Sequence, residues 1–327
     1  MTTVGSAGEG AVLRVSKLVL GTMTFGDTVD ETTAGEMIDA ALESGIDTID
    51  TANVYAAGVA EEMLGRLLKG RHDEVLLASK AGMPHPDCGP HAPLSPKGLR
   101  NSLEASLRRL DVESLDLFYL HQPDRATPLE ATLSTVADLA SEGKVKALGV
   151  SNFAAWQIGD LITTAARVGA PRPLAAQQLY NLVARRLEEE YLEFAASHQL
   201  YTIVYNPLAG GLLAGQLSFD SKPSQGRFGG SRISDAYTKR YWVKELFAAV
   251  DRLSGIAAEA GITPAALALR WLAFRDGVGS VVLGSSRLGH LREDIDAVSA
   301  GPLDVGVVEA CDAVGADLRG PMPAYNR

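Results

Sequence analysis

The segment Val75-Leu76-Leu77-Ala78-Ser79-Lys80 is apolar through its first four residues and ends on a lysine. A short apolar run bounded by turn signals reads as a strand buried on both faces, as strands of a parallel sheet are. Seven other runs have the same character: Leu18–Gly21, Ile46–Asp50, Leu115–Leu120, Val145–Val150, Leu174–Gln177, Tyr201–Tyr205 and Ser280–Leu283. Between them lie stretches with helical spacing, among them Thr32–Glu43, Pro96–Arg109, Leu129–Ser141, Ala154–Arg167, Glu188–His198 and Pro264–Phe274. Ser95-Pro96 and Thr263-Pro264 each place a proline in a first helical turn, and Gly45, Gly70, Gly143 and Gly261 stand where helices should stop.

Eight β-runs alternating with helices have two solutions, a closed barrel or an open doubly wound sheet. The open sheet commonly carries G-x-G-x-x-G after its first strand. That pattern is absent, as are the P-loop and the G-x-S-x-G elbow. The α/β class with a (β/α)8 TIM barrel is therefore expected. The 327 residues, which could hold two average domains, are read as one barrel domain over 1–327. A long Gly- and Ser-containing stretch at about 208–240 is expected to form a lid-like loop.

Forty acidic against 30 basic side chains give a net charge of −10, which argues against nucleic acid or an anionic membrane as partner. No apolar run approaches the ~18 residues of a membrane span. Cys88 and Cys311 are the two cysteines, so no disulfide framework is implied, and a cytoplasmic location is expected.

The functional face of such a barrel lies at the carboxyl ends of its strands. Asp50 closes the second run with Tyr55 five residues on, Lys80 closes the third, and His121 the fourth. Ser151-Asn152 follow the fifth, Gln177 the sixth, Tyr205-Asn206 the seventh, and Gly284 to Arg287 the eighth. A phenol with its pKa near 10 is a poor proton donor or acceptor near neutrality. An adjacent ammonium lowers that pKa, a carboxylate keeps the lysine charged, and a histidine can donate to a carbonyl oxygen. Lys80 as a Schiff-base nucleophile would need a neutral amine, which a paired Asp50 opposes.

Five segments, Asp47-Thr-Ile-Asp50-Thr-Ala-Asn-Val-Tyr55, Ala78-Ser-Lys80, Asp116-Leu-Phe-Tyr-Leu-His121, Gly149-Val-Ser-Asn152 and Gln177-Gln-Leu-Tyr-Asn181, together resemble the aldo-keto reductase superfamily in order and spacing. The segments Asn206-Pro-Leu-Ala-Gly-Gly-Leu-Leu213, Gly226-Arg-Phe228, Arg240-Tyr-Trp242 and Tyr325-Asn-Arg327 are similar to its aflatoxin-aldehyde and succinic-semialdehyde reductase branch. The resemblance implies NADPH-dependent reduction of aldehydes, or of ketones, by hydride transfer to a small carbonyl substrate. Tyr55 would be the general acid, Lys80 and Asp50 would tune it, and His121 would orient the carbonyl. Ser151, Asn152 and Gln177 would hold the nicotinamide carboxamide and Tyr205 would stack on the ring. Gly21, Thr22, Met23, Asn206, Leu208, Gly210 and Leu212 would complete the dinucleotide site, the loop Leu208–Gly215 lying over the pyrophosphate with backbone N–H groups. Gly284, Ser286, Arg287, His290 and Asp294 fall where the family holds the adenosine end, and Arg287 favours a 2′-phosphate. Gln216, His290 and Asp294 depart from the branch pattern.

In that branch, arginines placed like Arg240 and Arg327 face a substrate carboxylate; Arg227 is a further arginine of the lid stretch. The resemblance implies a monomer or homodimer, and also admits a non-catalytic nicotinamide-sensing subunit of the potassium-channel β type. His85-Pro-Asp-Cys88-Gly-Pro-His91 lacks the ligand spacing of a zinc site, so no metal is expected there; it reads as a loop on the pocket wall.

Overall fold

The computed structural model describes residues 2–4, 13–231 and 233–320. Eight parallel strands close into a barrel: β1 (Leu18–Gly21), β2 (Thr48–Asp50), β3 (Leu76–Ala81), β4 (Leu117–Leu120), β5 (Leu148–Ser151), β6 (Pro173–Leu179), β7 (Tyr201–Tyr205) and β8 (Ser280–Leu283). Each pairs with its sequence neighbour, and β8 returns to β1 with Val281 opposite Leu18 and Leu283 opposite Leu20. The expected TIM barrel is the observed fold.

Eleven helices are seen among the described residues: α1 (Glu31–Glu43), α2 (Val59–Leu67), α3 (Pro96–Leu110), α4 (Leu129–Ser141), α5 (Ala155–Val168), α6 (Tyr191–Ser197), α7 (Ser234–Tyr241), α8 (Lys244–Glu259), α9 (Pro264–Ala273), α10 (Leu288–Ser299) and α11 (Val305–Arg319). Their start signals act as read: Ser95 Oγ accepts from Gly98 N at 3.3 Å and Thr263 Oγ1 from Ala266 N at 3.1 Å. Gly45, Gly70, Gly143 and Gly261 are all left-handed.

The strands separate two cores. Outward residues such as Leu20, Ile49, Phe118 and Leu148 pack beneath the helices. Inward residues, including Val19, Ala78, Leu117, Tyr119, Ala175 and Ile203, fill the barrel. The strand Leu13–Val15, paired antiparallel with Thr2–Val4, adds Leu13 and Val15 to that inner core. The adjoining Ser16 bonds Thr48 and Ser280 at the starts of β2 and β8, so the hairpin closes the amino-terminal end. The opposite end is left for chemistry.

Two sequence expectations shift. Glu188–His198 begins its helix only at Tyr191, because Glu188 is engaged by Arg185 at 2.7 Å and by Tyr180. The stretch 208–240 is not irregular throughout: a 3-10 turn spans Ala209–Ala214, and α7 fills its end. Among the described residues no helix is long and apolar enough to cross a membrane.

Candidate active site

Lys80 is fully buried, which an ammonium tolerates only with its protons engaged. Its Nζ donates to Asp50 Oδ1, to Thr51 O at 2.8 Å and to Tyr55 Oη at 3.3 Å. Burial disfavours its charge, but Asp50 and Tyr55 outweigh burial and hold the pKa above the ordinary value. Parallel pairing of β2 with β3 brings the two charged residues onto one face. The second oxygen of Asp50 accepts from Gln177 Nε2 at 2.8 Å.

Tyr55 lies just beyond β2, its ring edge-on to His121 with centroids 6.1 Å apart. Burial raises its phenol pKa, Lys80 pulls it down only in part, and Asp50 pushes with burial. Lys80 thus acts in the expected direction, while the lost solvation of the phenol outweighs that one cation. His121 moves the other way, since burial and the Lys80 charge depress it to about 3. The imidazole is therefore neutral at pH 7, and its Nδ1 is buried without a partner among the described residues.

The residues assigned to a nicotinamide surround this group. Asn152 is left-handed at φ 64°; its Nδ2 donates to His121 O at 2.9 Å and to Ser151 Oγ at 3.0 Å. Its Oδ1 accepts from Tyr205 Oη at 2.7 Å. Gly21 and Thr22 are buried at the end of β1, with Thr22 Oγ1 bonded to Asp50 O at 3.1 Å, and Met23 is half-buried.

The 206–215 segment is more self-contained than its sequence implied. Asn206 Oδ1 accepts from Gly210 N at 2.8 Å, and its Nδ2 donates to Tyr241 Oη at 2.8 Å. The N–H groups of Gly211 and Leu213 both bond Leu208 O, and the Leu212 side chain is in the core. Those amides are already satisfied within the turn.

After β8, Gly284, Ser286, Arg287 and His290 are exposed, and a β-carbon on Gly284 would meet nothing within 4 Å. Arg287 stands at the start of α10, which no side chain caps. An open backbone, an uncapped helix start and a guanidinium suit a phosphate, so these residues fit a phosphorylated dinucleotide. Asp294 differs from its neighbours: it is buried on α10 and its carboxyl is pushed up to about 7 by burial, with Glu293 beside it.

Arg240 is exposed on α7 and approaches the Tyr205 hydroxyl, while Arg227 lies over the Tyr237 ring at 5.8 Å. Arg327 lies outside the described residues. Tyr237, 8% exposed, was missed from sequence although it faces both Tyr55 and Tyr205 electrostatically. Its signal was the four-residue spacing to Tyr241, which puts both on one face of α7. His85 Nδ1 pairs with Asp87 Oδ2 at 2.9 Å, and among the described residues no cluster of three or more His, Cys, Asp or Glu could hold a metal.

Residues 17–316 match the model of the aldo/keto reductase family. The chain is 35% identical to aflatoxin B1 aldehyde reductase member 2 of Mus musculus, over 98% of this chain and 90% of that protein. It is 33% identical to a probable voltage-gated potassium channel subunit beta of Arabidopsis thaliana, over 90% and 91%. Aldo-keto reductase YhdN of Bacillus subtilis (strain 168) is 32% identical, over 85% and 84%. A buried Asp–Lys pair with a half-buried tyrosine and a neutral histidine, at the carboxyl end of a barrel matched over nearly its whole length, makes this chain a member of the aldo/keto reductase family of oxidoreductases.

Proposed function

We propose that the protein reduces aldehydes to alcohols with NADPH, using Tyr55 as the general acid. When bound, NADPH would supply the hydride that goes to the carbonyl carbon. Tyr55 gives its phenolic proton to the carbonyl oxygen as negative charge develops there. Lys80 stabilises the phenolate left behind, and Asp50 keeps Lys80 an ammonium. His121, neutral because its pKa is depressed to about 3, donates an N–H to the same oxygen. It is a poor source of the transferred proton, which leaves that role to the phenol. The observation carrying the proposal is the Lys80 ammonium, buried and shared between Asp50 and the Tyr55 hydroxyl.

Ser151, Asn152, Gln177 and Tyr205 would hold the nicotinamide, and Arg287 at the start of α10 would take the 2′-phosphate. Arg240 beside Tyr205 would receive the carboxylate of an acidic aldehyde such as succinic semialdehyde. The test is a panel of neutral and carboxylate-bearing aldehydes with NADPH and with NADH. Turnover with NADPH is expected. Arg240→Met should raise KM for succinic semialdehyde roughly tenfold or more and leave neutral aldehydes unchanged, given that charge-assisted bonds exceed neutral ones. Equal effects on both substrates would remove Arg240 from recognition. The likeness to a channel β subunit favours a second reading, a nicotinamide-binding partner subunit. NADPH binding without turnover on the whole panel would select it.

A further inference from the structure

The residues that follow Tyr55 adopt a backbone their side chains disfavour. Ala56 and Ala57 lie at φ 47° and 55°, and Gly58 follows at 97°. Left-handed alanines are strained and persist only where surrounding contacts over-determine them.

Arg109 on α3 supplies such contacts. Its guanidinium lies against Gly58, where a β-carbon would meet Arg109 Nε at 3.0 Å and Cζ at 3.3 Å. Nε donates to Glu61 Oε2 at 2.8 Å, and the terminal nitrogens donate to both oxygens of Asp87 at 3.1 and 2.7 Å. Glu61, fully buried in the first turn of α2, accepts from Ser79 Oγ at 2.6 Å on its other oxygen. Asp87 also accepts from Asn53 Nδ2 at 3.3 Å. These ties end beside the site: Ser79 precedes Lys80, and Asn53 lies two residues before Tyr55. Asp87 belongs to the segment that follows β3. Among the described residues no hydrogen bond joins Arg109 itself to Tyr55, Lys80 or His121.

We propose that Arg109 is a positioning residue that sets the Tyr55 hydroxyl against Lys80 by clamping Gly58, Glu61 and Asp87. The proposal rests on Tyr55 being the acid. Two ion pairs and a packed guanidinium fix the turn from behind, so the phenol keeps one orientation relative to the ammonium. Charged or titratable groups facing Tyr55 itself are Lys80 and Asp50 on the strands, Tyr119 on β4, Tyr205 on β7, His121 after β4, and Tyr237 on α7. None of these is removed by changing Arg109.

The test uses the full-length enzyme, 4-nitrobenzaldehyde, and NADPH with or without deuterium at the transferred C4 position. Arg109→Met is expected to lower kcat roughly 10- to 100-fold, the scale of a small misplacement of a reacting group. NADPH affinity, read by fluorescence, should stay at the wild-type value. The isotope effect on kcat should rise, and the alkaline limb of the kcat–pH profile should move to higher pH as Tyr55 loses contact with Lys80. Arg109→Lys, which can meet one carboxylate, should recover part of each change. A purely structural role would reduce only the active fraction; wild-type isotope effect and pH profile in Arg109→Met overturn the proposal. If that variant does not fold, the same readouts on Arg109→Lys and Asp87→Asn decide, shifts in the stated directions supporting it and wild-type values overturning it. Tyr55→Phe separates the two claims. Wild-type-like turnover there refutes the acid itself, while an inactive Tyr55→Phe beside an unmoved Arg109→Met profile refutes the clamp alone.

Discussion

Asp294 shows how burial alone can give a side chain a pH dependence. It is 9% exposed, has no hydrogen bond or ion pair among the described residues, and titrates at about 7 in the folded chain. An unfolded chain would release that proton near 3.9. Between those values the folded state holds a proton that the unfolded state does not, so stability falls as pH rises from about 4 to about 7. Asp294→Asn should therefore be more stable than the wild type at pH 8, by on the order of 1.4 kcal/mol for each pH unit separating the folded and unfolded titrations, with the gain shrinking toward pH 4. Urea denaturation at several pH values checks this, and a gain independent of pH would contradict it. Single residues differed in how legible they were. Asp50, Tyr55, Lys80 and His121 stood out because strand ends put chemistry at predictable places. Glu61, Asp87 and Arg109 gave no such signal, since ion pairs 48 and 22 residues apart are visible only after α2, α3 and the loop after β3 have packed. Gln177 is legible for closing the run Leu174–Gln177, but its bond to Asp50 depends on residues 127 apart in the chain meeting across the barrel.

Elements were legible in proportion to their apolar pattern. Leu18–Gly21, Tyr201–Tyr205 and Ser280–Leu283 begin and end as read, because buried parallel strands leave an uninterrupted apolar run. Val145–Val150 starts later than its apolar run: Val145 makes only a single bridge to Leu115, and the strand proper starts at Leu148. Helix α7 was hidden because Ser234–Tyr241 buries just Tyr237 and Tyr241. It packs back on the preceding turn, where Gly210 at φ 72° leaves room for the Tyr237 ring; a β-carbon there would come within 2.5 Å of it. Asn206 ties the two ends together through Gly210 and Tyr241. We propose that this segment closes over the cofactor, so that its reopening limits turnover. Rapid mixing of the enzyme–NADPH complex with 4-nitrobenzaldehyde should then give a burst of product about equal to the enzyme present, followed by a slower phase. Product formed linearly from the first turnover would contradict it.

Across the molecule, eight short strands place one titratable group after another at the carboxyl end, while the hairpin strand Leu13–Val15 closes the other. The net charge of −10 describes the outer surface, and says little about a site in which Lys80 is buried against one carboxylate. Arg240 and Arg287, both exposed near that end, give an acidic protein local places for anionic groups. Composition could suggest which partners to set aside; the order of polar residues at strand ends pointed to the chemistry. The central claim is that this barrel is a catalyst whose acid is Tyr55, and it is tested most directly by turnover and NADPH binding in the wild type and Tyr55→Phe. The account predicts unchanged NADPH affinity with a loss of roughly 10²- to 10⁴-fold in kcat, the usual contribution of a positioned acid. Wild-type-like turnover by Tyr55→Phe would contradict it.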